Sequence, residues 1–401
     1  MVDDIVGITE AGYQAQQLNT FINLKTAEKT LQFGVDKCKS MFIHKDGVSD
    51  LNNDLQVDRW ETGYEEDLKT GNISLTESFC GLTKIKQTQK QTYLGFVISS
   101  TGDNMANIEQ MKKKSIGVIK KILNKLNSSN LQTYYFECSI ILLNVILRPS
   151  ILYACEAYYN LKENELRQIE RIEENYLRKV LNTTKGCPIV QLYLETGHIP
   201  ARLEIQKTRL LYLQYILQQT EESTIFKFFN LQLESPTCGD WASTCIEDMK
   251  YLNIELSLAE IRCMSKCQFT KILKAKMKTS AIKYLKGKQG FKGQDIEYSC
   301  NEMSEYLLPI NKNLTIDEKR RLFGVRNKMT DIPSNFSRGE KEMKCQCNQK
   351  EDMKHIYECE IYNEDKFELP YEKIYNGNIN EQIAVFKKFE QNLQKREQLR
   401  T

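Results

Sequence analysis

The stretch LKENELRQIERIEENYLRKVLN (161–182) sets Leu166, Ile169, Ile172, Tyr176, Leu177, Val180 and Leu181 at helical spacing and fills the positions between them with Glu, Arg and Lys. A repeat of 3.6 residues does not suit a strand, so the stretch predicts a long amphipathic helix packing by one apolar stripe. Related patterns run through NIEQMKKKSIGVIKKILNKL, LQTYYFECSIILLNVIL, ARLEIQKTRLLYLQYILQQ, IDEKRRLFGVRNK and NEQIAVFKKFEQNLQKREQLR. With only 7 Pro and 19 Gly in 401 residues, little breaks these helices, and residues 104–328 read as an α-helical array.

The first hundred residues differ. Residues 1–5, KSMFIH and QTYLGFVIS read as strands, and AGYQAQQLNTFINLKTAEKTLQF reads as a helix between the first two. The polar stretch from Asp46 to Lys90, with five acids in DRWETGYEED, reads as a loop or insertion. The fold class expected is therefore mainly α, a helical array following a small α/β segment.

Charge narrows the function classes. Lys and Arg number 56 against 53 Asp and Glu, a net charge of +3, which excludes an acidic disordered chain and a uniformly basic coat protein. Phosphate would have to be met by local patches. The longest apolar run, SIILLNVILRPSILYAC, is broken by Asn144 and Arg148, and MVDDIVGITE lacks the basic and apolar parts of a signal peptide. The expectation is an intracellular protein, nuclear or cytoplasmic, with no membrane partner. Thirteen irregularly spaced Cys suit buried thiols better than a disulfide framework.

Asp3 and Asp4 stand between short apolar segments. Adjacent carboxylates at a tight bend suit Mg²⁺, which takes carboxylate oxygens and keeps positions open for phosphate and water. Alone, such a pair serves as well for a solvated turn or a helix cap. Near the other end, Cys345, Cys347, His355 and Cys359 fall within fifteen positions of a chain that has 3 His. Three thiols and an imidazole are a donor set for structural Zn²⁺, with His355 and Cys359 on one face of a short helix and CQCNQ as the opposing knuckle. The one-residue gap between the first two Cys is tighter than the common spacing, and unconnected thiols are the alternative.

From Ile261 to Gly293 there are ten basic residues and no acid, and Lys271, Lys274 and Lys278 share a helix face that could follow a phosphate backbone. Lys112, Lys113 and Lys114 with Lys120, Lys121 and Lys125 make a second basic face. A solvated surface is the plainer reading of both. GKQGFKG lacks P-loop spacing, His44 and His198 accompany no nucleophile motif, and Cys263 and Cys267 read as packing residues.

The order VDD, helix, FGVDKCKSMFI, TYLGFVIS resembles the second half of a reverse transcriptase palm of the non-LTR (LINE-type) retrotransposon family. The resemblance continues in RKVLNTTKGCPIVQLYLETGHIPARLEIQKTRLLYLQYIL, in FGVRNKMTDIPSNF with its Asn335–Phe336 pair, and in the following CQC and HIYEC, to about Cys359. It implies RNA-directed DNA synthesis on an RNA template and DNA primer from deoxynucleotides. Asp3 would ligate Mg²⁺ with Asp4 beside it, Lys37 or Lys39 would be the palm lysine, and Leu94 and Gly95 the primer grip. The implied parts are a partial palm (1–100), a helical thumb (101–260), a basic connector (261–330), a zinc knuckle (331–365) and a terminal helix (366–401). Met1 stands where the family has an aromatic residue, and a further palm Asp and the fingers would lie ahead of it. The expectation is that the isolated chain does not polymerise. The alternative is a non-enzymatic nucleic-acid-binding protein derived from such an element.

Overall fold

A computed structural model describes residues 17–18, 22, 39–41, 56–67, 72–84, 86–101, 104–129, 132–236, 239–288, 302–330, 332, 344–363 and 368–399. The chain is mainly helical and divides into two compact units, Met1–Gln110 and Met111–Thr401.

In the first unit, Gln17, Leu18 and Ile22 are helical, within the expected helix. Strand β1 (Lys39–Ser40) pairs in parallel with β4 (Lys86–Gln87). The stretch expected to be a loop is instead largely a hairpin of β2 (Gln56–Asp67) and β3 (Asn72–Lys84), antiparallel with a bulge at Arg59/Trp60. Trp60, Thr62 and Tyr64, then Ile73 and Leu75, recur every second residue, a strand pattern that the density of acids conceals. A second correction concerns QTYLGFVIS. It is two strands, β5 (Lys90–Tyr93) and β6 (Phe96–Ser99), joined by Leu94 and Gly95 with φ of 46° and 83°. Positive φ at both central residues turns the chain in the sense that matches strand twist. Gly95 accepts this freely; Leu94 does so under strain.

The second unit is helical. Helix α1 (Met105–Ser128) crosses the division between the units. Next comes a continuous helical run, Gln132–Ile151, comprising a 3₁₀ turn, α2 (Tyr135–Leu142), a π-helical turn Leu143–Leu147 and a closing turn Arg148–Ile151. Among the described residues this run is the one long and apolar enough to cross a membrane, but it carries Arg148, which is ion-paired inside the unit. Then follow α3 (Glu163–Val180), α4 (Ile189–Thr196), α5 (Ala201–Leu217), α6 (Thr224–Glu234), α7 (Trp241–Tyr251), α8 (Leu258–Cys263), α9 (Lys266–Lys286), α10 (Ile316–Arg326), α11 (Met353–Glu358), α12 (Lys373–Asn376) and α13 (Ile379–Gln398). Helix α5 packs against α3, α6, α7, α8 and α9. It is correspondingly buried on most sides, and Gln214 Nε2 on it donates to the carbonyls of Ile261 and Met264.

Helix α3 forms where the pattern places it. Glu163 and Glu165 occupy its first turn and Arg178 and Lys179 its last, each sign favourable to the helix dipole. Ile169, Ile172, Tyr176, Leu177 and Val180 are buried as expected. The single-stripe expectation needs correction, because Glu165, Gln168, Glu170, Glu173 and Glu174 are buried too. Glu173 and Glu170 find partners in other segments: Arg148 Nε lies 2.8 Å from Glu173 Oε1, and Arg202 pairs Glu170 at 2.5 Å. Arg167 pairs Glu174 within the helix. A polar face can be enclosed when each charge meets an opposite one.

Candidate metal centre and basic helix faces

The knuckle begins with a bridge between Lys344 and Lys350 that folds the intervening residues into a tight loop. Cys345 N–H donates to Gln349 O at 3.0 Å, Asn348 N–H donates to Cys345 O at 2.8 Å, and Asn348 takes φ 67°, a conformation Asn tolerates. Opposite lies α11, started by Asp352, whose carboxylate accepts from His355 N–H at 2.7 Å. His355 lies in that helix and Cys359 caps its end, so both face the loop.

The donor atoms of Cys345, Cys347, His355 and Cys359 all lie within 4.8 Å of one another. Cys345 Sγ is 3.6 Å from Cys359 Sγ, which is 3.9 Å from Cys347 Sγ; Cys347 Sγ is 3.3 Å from His355 Nε2. A tetrahedral zinc with ordinary bond lengths separates sulfurs by about 3.8 Å and sulfur from nitrogen by about 3.6 Å. Those three spacings are close to that cage, and three thiols with an imidazole are a donor set that could hold a metal ion. Burial pushes the Cys359 thiol up, to about 11. At Cys345 burial acts the same way but is outweighed by hydrogen bonds from Cys347 N–H and the Tyr362 hydroxyl, which bring the thiol down to about 6.

Helix α9 is held by a narrow stripe of Phe269, Leu273, Met277, Ala281 and Leu285. Its capping box, Ser265 with Gln268, fixes where it starts. Lys271, Lys274 and Lys278 are exposed and pair with no described carboxylate. Of the aromatic residues in this basic segment, Phe269 is core, Tyr284 is half-buried with its hydroxyl 3.2 Å from Glu170, and Phe291 lies outside the described residues. On α1, Lys113 and Lys120 are exposed, whereas Lys112 is half-buried and donates to Gln168 at 2.5 Å, turning toward α3.

Asp3, Asp4, Lys37 and His44 lie outside the described residues, and Lys39 opens β1. Leu94 and Gly95 form the tip of the β5–β6 hairpin, with Leu94 exposed. His198 is fully buried, and Arg148 Nη2 lies 2.8 Å from its Nε2. Burial, then Arg148, hold its pKa down, while Glu173, with Oε2 3.4 Å from the same Nε2, acts to raise it. Cys155, Cys187 and Cys245 are buried thiols, but Cys263 and Cys267 are exposed, not packed.

Sequence reading missed the groups behind the thiols. Tyr362 Oη lies 3.1 Å from Cys345 Sγ and 3.0 Å from Glu351 Oε1, and Arg396 grips both oxygens of Glu351 at 2.9 and 3.1 Å. No spacing rule links Arg396 to a cluster that ends at Cys359. No family profile, curated protein sequence or solved structure matches the chain.

Proposed function

We propose that the chain is part of the RNA-directed DNA polymerase of a LINE-type retrotransposon, and that its helical unit holds nucleic acid. On this reading residues 101–260 serve as a thumb, residues 261–330 as a basic connector, and the Cys345, Cys347, His355, Cys359 quartet as a zinc-held knuckle. Asp3 and Asp4 would bind Mg²⁺ in the palm, with Lys37 or Lys39 near the incoming deoxynucleotide and Leu94 and Gly95 near the primer.

The observation that carries the reading is the Cys₃His quartet closing a helical array that displays lysines without described carboxylate partners. Such lysines meet phosphates irrespective of base sequence, and each contact releases counterions. Lys113, Lys120, Lys271, Lys274 and Lys278 are the residues so placed. Fluorescence anisotropy with an RNA–DNA hybrid, titrated with salt from about 50 to about 200 mM, tests it. Affinity falling steeply with salt supports the reading; no binding at the lowest salt rejects it.

A second reading, a non-enzymatic nucleic-acid-binding protein derived from such an element, draws on the same lysines and quartet, which provide grip without chemistry. Template-directed primer extension by the chain would reject the second reading; binding without synthesis is what that reading predicts, and it is equally expected of the first when the chain stands alone.

A further inference from the structure

Behind the metal quartet stands a relay of polar groups, every one of them buried. Tyr362, 3% exposed, sits with its hydroxyl between Cys345 Sγ and Glu351 Oε1. Glu351 is 1% exposed and directly follows the knuckle loop. Its charge is met by Arg396 of α13, itself 6% exposed, through Nε to Oε1 and Nη2 to Oε2. One turn earlier on α13, the Asn392 amide donates to the carbonyls of Ile356 and Tyr357 in α11 and to Asn363 Oδ1. Helix α13 therefore grips both halves of the knuckle, the loop through Glu351 and the helix through Asn392.

We propose that Tyr362 is a positioning residue for the metal, donating its hydroxyl hydrogen to the Cys345 thiolate in place of Glu351, whose charge Arg396 meets. The proposal rests on the quartet being a zinc site. A coordinated cysteine is a thiolate and can only accept, so a bond across the 3.1 Å between Sγ and Oη must run from Tyr362 to sulfur. Tyr362 has one proton and two acceptors. Turning it to sulfur leaves Glu351 still bound by two Arg396 donors, so neither carboxylate oxygen loses its last partner. The hydrogen bond spreads the thiolate's charge and fixes the direction of its lone pairs, the role such outer partners play at other metal sites. Thus the four ligands end at Cys359, but the shell that orients them extends to Arg396.

The test uses the full chain and removes one oxygen atom. Tyr362→Phe is expected to weaken Zn²⁺ affinity about 10- to 100-fold in competition with a colorimetric chelator, with helical circular dichroism unchanged. In the Co²⁺-loaded protein the thiolate-to-metal charge-transfer band is expected to move to longer wavelength, because a sulfur that loses a hydrogen bond gives up its electrons more readily. Tyr357→Phe is the control: it removes a buried hydroxyl of the same region that donates to Leu369 O at 2.7 Å and not to a ligand, and it should leave both readouts where they were. Equal affinity and an unmoved band in Tyr362→Phe overturn the proposal, as does an equal loss in both variants. A wild-type chain that takes up no zinc overturns it together with the reading of the quartet, whereas zinc bound equally by wild type and Tyr362→Phe overturns this proposal alone.

Discussion

Glu173 is wholly buried between Arg148 and His198, and although burial alone would raise its carboxyl, those neighbours hold it down to about 2. A carboxyl depressed on folding contributes stability above its unfolded value, about 4.3, and loses it as pH falls toward 2. His198, kept neutral by burial and Arg148, acts in the same direction: below its ordinary pKa the unfolded chain takes a proton that the folded chain resists. The raised carboxyls of Glu174 and Asp248 oppose this, so a variant is needed to separate the parts. Glu173→Gln should cost about 3 kcal/mol at neutral pH by leaving Arg148 short of a buried counter-charge, and should flatten the acid limb of stability. Urea denaturation of both forms between neutral pH and the acid limb reads each effect; an acid limb of unchanged steepness would show that Glu173 carries none of it. Gly197 is a second such position, with φ +64° and Glu302 backbone carbon 2.5 Å from where a Cβ would lie. Gly197→Ala should therefore destabilise by at least about 1 kcal/mol in the same measurement, and an unshifted midpoint would contradict this. What was legible at this scale was local. Three Cys and a rare His within fifteen positions announce a donor set, but Glu173 in the sequence is only one more acid on a charged helix face, because Arg148 and His198 reach it from other segments.

Helix α9 shows how much of an element the pattern reveals. Its basic run was plain in the sequence, and its buried stripe is narrow enough to leave Lys271, Lys274 and Lys278 in water. Changing all three to Gln should leave the unfolding midpoint unmoved and reduce the dependence of log affinity on log salt by about 3 in the RNA–DNA hybrid assay. An unchanged salt slope would remove α9 from the interface. Helix α3 was legible by half: its apolar positions predicted one buried side, while the other is enclosed by Arg148 from the preceding run and Arg202 from α5. The β2–β3 hairpin was obscured by composition, since the acids in DRWETGYEED give its period-two pattern the polarity of a loop. The β5–β6 turn had an available signal, the Gly inside an otherwise continuous strand pattern, which marks a turn when the flanking residues pair with each other.

Over the whole molecule, the described geometry sets a Cys/His knuckle that could hold a metal ion on a helical unit whose last described helix grips it from behind. The C-terminal helix was visible in the sequence as an amphipathic stretch, but not its attachment to the knuckle, because contacts between residues as distant as Glu351 and Arg396 leave no mark on spacing. Arg326 plays a similar part nearby, meeting Glu195 of α4 at 3.1 Å and Gln382 of α13 at 3.1 Å. Removing the metal should therefore be felt beyond four side chains: chelation is expected to increase amide exchange in α11 and along α13 at Asn392 and Arg396, and exchange confined to the Cys345–Asn348 loop would contradict that link. The most direct measurement is the metal content of the purified full chain together with titration of its thiols. One zinc per chain, with Cys345, Cys347 and Cys359 unreactive until a chelator is added, is the predicted result. A folded chain that holds no zinc and whose three thiols react at once would contradict the knuckle, and with it the reading that rests on it.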